Sequence, residues 1–198
     1  EKETALLADT AMDAFRMGYR SFEERNRSLI PETQKLIRDA GNISRAIINY
    51  LIKLSAQSKL AVERDISDLH SNVGDIMRIA EIADNFTKYT ERTLRDNLEF
   101  SEHVKVEISA MVKRVEALYA LTKRILLSHD TSLLPEIDRT ENDIDAFRKQ
   151  LIDSHIARLN AGECKPEFSS VFINMVSNLE RLGDHLTYIA HTVSGQTH

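Results

Sequence analysis

Apolar residues recur at intervals of three and four along most of the chain, which is the spacing that predicts amphipathic helices. The first helix is marked by apolar positions from Leu6 to Phe22 and ends before the segment NRSLIPE. After each polar or proline-containing break the pattern resumes. It predicts five further helices at about 32–54, 61–95, 101–127, 135–159 and 166–193.

Three residues at the predicted helix ends support these bounds. Ser101 is suited to cap the N-terminus of the fourth helix with its hydroxyl group. Gly162 can take the left-handed conformation that commonly ends a helix, and Pro166 suits the first turn of the sixth helix. The boundary between the fifth and sixth helices is therefore the best-marked joint of the chain.

An internal repeat divides the six helices into two sets of three. The segment SLIPE at 28–32 matches SLLPE at 132–136, an offset of 104 residues. MRIAEIADN resembles LERLGDHLT at an offset of 103, counted from Met77 to Glu180. Two diverged copies of one unit explain both offsets. We therefore predict an all-α fold of two tandem antiparallel three-helix bundles, at residues 1–100 and 101–198.

Composition agrees with long helices and excludes several classes of protein. Only 6 Gly and 3 Pro occur in 198 residues, and 42% of the residues are apolar. The net charge of −5 argues against a non-specific nucleic-acid binder, and a single cysteine, Cys164, excludes an internal disulfide or a cysteine-based zinc site. No apolar run of about 18 residues and no signal peptide is visible. Because the chain begins at Glu1, we expect it to be a piece of a longer protein, whose other part could hold a membrane segment.

Two pairs of carboxylates share a spacing of four residues. Glu141 and Asp145 lie in the fifth predicted helix, and Glu180 and Asp184 lie in the sixth. Residues four apart lie on one face of a helix, so each pair presents two oxygen ligands side by side. We call these four side chains the acidic patch.

The two pairs are expected to meet. A short loop joins the two helices, so they should pack antiparallel. At about 100° per residue, both pairs are displaced from the apolar seams of their helices in the same sense, which places them on one side of the bundle. Asp145 lies 18 residues before position 163 of the loop and Glu180 lies 17 after it; for Glu141 and Asp184 the separations are 22 and 21. All four should therefore lie at one level.

Four carboxylates this close repel each other unless they are protonated, screened or bridged by a cation. Oxygen ligands suit magnesium, calcium, manganese or iron, and zinc fits if a histidine such as the adjacent His185 joins them. The alternative is a solvated acidic face whose side chains splay apart or pair with Arg148, Lys149 or Arg181.

The segment LERLGDH at 179–185 resembles the signature of PhoU-like domains, paired three-helix bundles that regulate phosphate uptake. The resemblance extends over essentially the whole chain, including the two-repeat layout. It implies that the motifs at 141–145 and 180–184 bind a divalent or multinuclear metal such as iron, zinc or magnesium.

Residues 153–185, with LEFSEH at 98–103, are also similar to the C-terminal PhoU-like domain of bacterial sodium/phosphate cotransporters. This similarity implies a cytosolic regulatory domain at the inner membrane. Its partner would be the transmembrane transporter domain of the same chain or a phosphate transport system. A free-standing PhoU-type regulator of phosphate uptake is the alternative.

The first repeat departs from the motif pattern. Met77 and Glu81 stand at the positions of the sixth-helix pair, and Ile37 and Gly41 stand at those of the fifth-helix pair. Only one carboxylate of four remains, so a metal cluster is expected in the second bundle alone.

The sequence favours a regulatory protein over an enzyme. Di-metal oxidase bundles use Glu-x-x-His motifs, and none of the seven histidines has Glu three residues before it. The chain also lacks a Gly-rich phosphate loop and a GxSxG nucleophile motif. We expect metal or partner occupancy to bias helix packing. A plain helical scaffold that binds a partner remains an alternative, and long amphipathic helices are compatible with a homodimer.

Overall fold

The computed structural model describes residues 2–56, 63–193 and 195, and these contain six α-helices and no strand. The all-α prediction is confirmed. Short 3-10 turns precede three of the helices, at Arg27–Leu29, Thr131–Leu133 and Pro166–Phe168. The helices are α1 Lys2–Glu23, α2 Ile30–Ser55, α3 Glu63–Arg95, α4 Glu102–Ser128, α5 Leu134–Asn160 and α6 Ser169–Val193.

The helix bounds differ from the prediction mainly where proline stands near an N-terminus. α2 and α5 each begin one residue before a proline, at Ile30 and Leu134. Proline is tolerated there because the first N–H groups of a helix have no acceptor within it. Pro166 instead begins a 3-10 turn, so α6 starts at Ser169, later than predicted. Residues 61 and 62, the predicted start of the third helix, lie outside the described residues.

The predicted helix caps are present. The Ser101 hydroxyl oxygen accepts a hydrogen bond from the backbone N–H of Val104 at 3.4 Å. Gly162 has a left-handed φ of 73°, and the N–H of Glu163 after it donates to the carbonyl oxygen of Arg158 at 2.9 Å. This closure satisfies a carbonyl group in the last turn of α5 and redirects the chain toward α6.

The internal repeat is visible in the backbone. Asn26 and Asp130, 104 residues apart, each cap the 3-10 turn that precedes a long helix. Each side chain accepts hydrogen bonds from the backbone N–H and the hydroxyl of the serine two residues later, Ser28 at 3.0 and 2.7 Å and Ser132 at 3.0 and 2.6 Å. The same local chemistry therefore begins α2 and α5.

The helices pack as two bundles that share one core. α1, α2 and α3 pack together, α4, α5 and α6 pack together, and α3 lies along α6. Phe100, in the joint between the bundles, contacts Phe22 and Phe168, with ring centroids 5.9 and 5.1 Å apart. Because the apolar core runs through both bundles, the division into two domains at residue 100 stays a prediction.

α6 buries a seam of apolar residues spaced three and four apart. Within the described ranges no helix, α6 included, is long and apolar enough to cross a bilayer. The fully buried seam residues are Phe172, Met175, Leu179, Leu182, Leu186 and Ile189.

Candidate metal centre

Three of the four predicted carboxylates converge where α5 and α6 face each other. One side-chain oxygen from each of Glu141, Asp145 and Asp184 lies within 4.8 Å of the other two. We call these three side chains the carboxylate trio. α5 contributes two of them and α6 contributes one, so the trio spans the contact between the two helices.

Glu180 lies at the edge of the trio and faces an arginine. Its Oε2 atom is 3.8 Å from Nε of Arg148 on α5, and its side chain is 22% exposed. The sequence-based alternative, pairing with a nearby cation, thus applies to this one carboxylate. Which rotamer Glu180 adopts could not be predicted from spacing, because it depends on where Arg148 points across the helix contact.

Gly183 permits the close approach of α5 and α6 at this level. A Cβ atom at this position would lie 3.3 Å from Cδ1 and 3.5 Å from Cγ2 of Ile144, a tight contact with a buried side chain. Ile144 directly precedes Asp145, and Gly183 directly precedes Asp184. The glycine of the LERLGDH segment therefore brings the two aspartates together, a role that the spacing of acidic residues did not indicate.

The electrostatics of the site favour a bound cation. Burial raises the pKa of Glu141 above its ordinary value, and the charges of Asp145 and Asp184 raise it further. Burial, followed by Asp145, raises the pKa of Asp184. The pKa of Glu180 is raised by burial and by Asp184, against a lowering by Arg148. A cation within the trio offsets this repulsion.

The donor set of the trio fits a hard divalent metal ion. Such ions bind carboxylate oxygens at about 2.0–2.6 Å, so ligands on opposite sides of one ion lie about 4–5 Å apart. The three oxygens of the trio lie within 4.8 Å of one another, which does not exceed this span. Glu141, Asp145 and Asp184 are thus the residues that would hold the ion, and Glu180 is a neighbour that would need to turn toward it.

The region that holds this site matches a known family. Residues 108–193 match the family model described as the PhoU domain, and this range includes all four residues of the acidic patch. The chain contains a PhoU-like domain. A search of curated protein sequences gives no significant match.

Solved structures resemble the PhoU-like chain over nearly its whole length. The phosphate transport system regulatory protein PhoU from Streptococcus pneumoniae gives a TM-score of 0.84 at 16% identity, covering 98% of this chain and 90% of that one. PhoU from Pseudomonas aeruginosa gives a TM-score of 0.76 at 15% identity, covering 97% of this chain and 92% of that one. A structure described as a putative PhoU-like phosphate regulatory protein from Shewanella oneidensis MR-1 gives a TM-score of 0.77 at 15% identity, covering 98% of this chain and 97% of that one. At these identities the similarity establishes the fold.

His185 contacts a residue of the first bundle. Its Nδ1 atom lies 3.0 Å from Oδ1 of Asp75 on α3, so it joins the two bundles. Among the described residues, the group that could hold a metal consists of three carboxylates without histidine or cysteine. The histidine ligand considered for zinc is therefore not part of the trio.

Two acidic residues of α3 in the first bundle are engaged in ion pairs within that helix. Glu81 pairs with Arg78 at 2.7 Å, and Asp84 pairs with Lys88 at 2.7 Å. In the part of the chain that the structure describes, no group of three ligand side chains forms in the first bundle. The geometry thus agrees with the sequence in confining the candidate site to the second bundle.

Proposed function

We propose that this chain is a non-enzymatic PhoU-type regulator of phosphate transport whose carboxylate trio binds a divalent or multinuclear metal. The PhoU domain match over residues 108–193, which contains the converging carboxylates, is the observation that carries this proposal. The structural neighbour from Streptococcus pneumoniae is itself described as a phosphate transport system regulatory protein. Iron, manganese and magnesium fit the oxygen donors better than zinc does.

The proposed mechanism is a change in helix packing. Glu141, Asp145 and Asp184 would hold the cation, whose positive charge would offset the repulsion between the carboxylates of α5 and α6. Without it, repulsion between Asp145 and Asp184 favours a wider separation of these helices. Because α6 also packs along α3, a shift of α6 alters the contact between the bundles. Metal occupancy would then bias which surface is presented to a phosphate transport system.

Metal analysis tests the site. We expect purified wild-type protein to retain manganese or iron after desalting, and the double variant Asp145→Asn/Asp184→Asn to lose it. The control Asp153→Asn/Glu167→Gln makes the same charge change at exposed positions on α5 and in the turn before α6. Equal metal content in wild type and in the site variant would refute the assignment and favour a plain helical scaffold.

Phosphate uptake tests the regulatory role. The chain is expressed in a bacterium that lacks its own PhoU, and uptake of radiolabelled phosphate is measured. We expect wild type to restore control of uptake and the Asp145→Asn/Asp184→Asn variant to restore it less. A folded wild-type chain without any effect on uptake would count against the regulatory function.

A second form of the same function places the domain next to a membrane transporter. The similarity of residues 153–185 and 98–103 to sodium/phosphate cotransporters supports this form, on the cytoplasmic face of the inner membrane. The structural neighbours, described as PhoU or PhoU-like proteins, favour the free-standing regulator. Several apolar spans of about 20 residues encoded upstream of Glu1 would support the transporter form. A homodimer stays a prediction that light scattering can test.

A further inference from the structure

A cavity of about 480 Å³ lies at the end of the fold where the two bundles meet. Residues of α1 and α3 line it from the first bundle, and residues at the C-terminal ends of α4 and α6 line it from the second. It is separate from the acidic patch, since none of the four carboxylates of that patch belongs to its lining. A molecule bound in this cavity would therefore contact both bundles at once.

Two of the side chains that line the cavity are buried polar groups without a partner. Thr4 on α1 is 2% exposed, and Asn72 on α3 is 1% exposed. Among the described residues, the Thr4 hydroxyl and the Asn72 amide make no hydrogen bond, and the Oδ1 atom of Asn72 is buried without one. Buried polar groups are usually paired, and an unpaired one costs free energy that a bound donor would recover.

Two carboxylates lie on the same face of α3 as Asn72. Asp65 and Asp68 precede Asn72 by seven and four residues, a spacing that follows one side of a helix, and all three line the cavity. Neither aspartate has an ion pair or a side-chain hydrogen bond within the described ranges. Asp84, further along the same helix, pairs with Lys88 at 2.7 Å. The cavity therefore presents unpaired oxygen acceptors along one wall.

The lining of the cavity carries a net negative charge. Arg64, in the first turn of α3, donates from Nη2 to the carbonyl oxygen of Gly195 at 2.9 Å. With His129 neutral, two aspartates against this one arginine leave a single negative charge. One ammonium group brings the sum to zero, and its three N–H groups can donate to carboxylate and amide oxygens.

The shape and composition of the cavity favour an organic cation over a bare metal ion. In the part of the chain that the structure describes, Asp65, Asp68 and His129 do not bring their ligand atoms within 4.8 Å of one another, as the carboxylate trio does. Leu69 and Leu126 add apolar surface to the lining, which suits a short hydrocarbon stem. A quaternary ammonium ion has no N–H group and would leave the oxygen acceptors unpaired.

We propose that this cavity binds a small aliphatic primary amine. The ammonium group pairs with Asp65 and Asp68 and donates a hydrogen bond to the amide oxygen of Asn72. The hydrocarbon stem lies against Leu69 and Leu126. An amine held between α3 and the ends of α4 and α6 stabilises the contact between the bundles. The cavity is thus a second site, independent of the carboxylate trio, at which a ligand favours one packing of the helices.

Amine titration followed by nuclear magnetic resonance tests this inference. n-Butylamine is added at millimolar concentration to the metal-free, isotope-labelled chain at constant pH and ionic strength. Backbone amide signals of residues 64–72, 126–129 and 192–193 should shift in a saturable way, and those around the acidic patch should stay in place. n-Butanol, which lacks the charge, and tetramethylammonium, which lacks N–H donors, should bind at least about tenfold more weakly.

Matched variants test the assigned side chains. Asp68→Asn should weaken n-butylamine binding at least about tenfold, because a carboxylate that pairs with the ammonium group is lost. Asp153→Asn makes the same charge change at an exposed position on α5 and should bind as wild type does. Asn72→Leu should also weaken binding, yet in amine-free buffer it should be at least as stable as wild type, because an unpaired buried amide is removed. If Asn72→Leu does not fold, Asp65→Asn/Asp68→Asn should abolish binding.

The outcomes separate this inference from the proposed regulatory function. Wild-type spectra that do not change with n-butylamine would overturn the inference. Binding of n-butanol or tetramethylammonium as tight as that of the amine would overturn the ligand class. Equal amine binding by wild type and Asp68→Asn would overturn the assigned residues. Because the titration uses the metal-free chain, each of these failures leaves the carboxylate trio and its role in phosphate uptake in place.

Discussion

Nδ1 of His185 on α6 lies 3.0 Å from Oδ1 of Asp75 on α3, and both side chains are largely buried at 16% and 20% exposure. His185 directly follows Asp184 of the carboxylate trio. The contact therefore links the candidate metal centre of the second bundle to a helix of the first bundle. It gives the proposed helix-packing mechanism a specific path from α6 to α3.

We expect the Asp75–His185 contact to carry the effect of metal into the first bundle. Addition of Mn²⁺ should slow amide hydrogen exchange in α5 and α6 of wild type, and also in α3 around Asp75. In Asp75→Asn the response of α5 and α6 should persist while the response of α3 becomes smaller. Hydrogen exchange measured by mass spectrometry of peptides checks both the response of α5 and α6 and that of α3.

Asp84→Asn is the control for this experiment. It removes an acidic side chain from the same helix, but one that pairs with Lys88 of α3 itself. In Asp84→Asn, Mn²⁺ should slow amide exchange in α3 as much as it does in wild type. An undiminished response in Asp75→Asn would show that coupling between the bundles follows another route.

A bidentate ion pair also joins the two bundles. Nε and Nη2 of Arg16 on α1 donate to the two carboxylate oxygens of Glu116 on α4, at 2.8 and 2.6 Å. The side chains are 42% and 32% exposed, so solvent weakens the pair. A double-mutant cycle with Arg16→Gln and Glu116→Gln should give a coupling of about 0.5–1 kcal/mol in urea unfolding.

Salt and a matched pair test this assignment. The coupling between Arg16 and Glu116 should decrease in 1 M NaCl, where charges are screened within about 3 Å. The exposed pair Arg20 and Glu24 lies within α1 and joins no second helix. Its coupling should be the smaller of the two. A larger coupling for the pair within α1 would contradict a role for Arg16 in joining the bundles.

The sequence was sufficient to predict the convergence of α5 and α6 because that contact is local. A short loop fixes the direction and height of the two helices, and helical periodicity fixes which face each carboxylate occupies. Glu141, Asp145 and Asp184 converge as this reasoning requires, whereas the fourth carboxylate, Glu180, lies outside the group. The same locality explains why the caps at Ser101 and Gly162 were predictable.

Contacts between the bundles could not be predicted in this way. The pairing of His185 with Asp75 depends on the rotation of α3 against α6, which are separated by some 100 residues of chain. The position of Glu180 depends on the rotamer of Arg148, and periodicity specifies a face but not a rotamer. Sequence spacing therefore identified the carboxylates that converge and missed the residues that surround and orient them.

Gly18 on α1 provides a test of close packing between α1 and α3. A Cβ atom on Gly18 of α1 would lie 2.8 Å from the carbonyl oxygen of Ala83 on α3, which is backbone and cannot move aside. Gly18→Ala should lower the free energy of unfolding by about 1–3 kcal/mol, the usual cost of overpacking. Urea unfolding monitored by circular dichroism checks this value.

Gly74 on α3 is the matched control for Gly18. A Cβ atom there meets nothing within 4 Å. Gly74→Ala should raise stability by about 0.5–1 kcal/mol, because alanine is favoured over glycine within helices. The two Gly→Ala changes should therefore have opposite signs. A stabilising Gly18→Ala would mean that α1 and α3 separate at little cost.

His155 should make the protein less stable in mild acid. It is 1% exposed, stacks on Phe172 with ring centroids 4.7 Å apart, and its Nε2 atom lies 3.1 Å from the Ser169 hydroxyl oxygen. Burial, and then the charge of Arg158, lower the pKa of His155 below its ordinary value of 6.5. As pH falls below about 6.5, the unfolded chain binds a proton that the folded chain does not, so folding stability decreases.

Urea unfolding between pH 8 and pH 5 measures this dependence. His155→Gln should be less stable than wild type at pH 8, because it loses the stacking contact, but should lose less further stability on acidification. His70→Gln, at an exposed position on α3, should retain the pH dependence of wild type. Parallel pH curves for wild type and His155→Gln would show that protonation of His155 does not oppose folding. The loss of stability in acid would then have to come from other titratable groups.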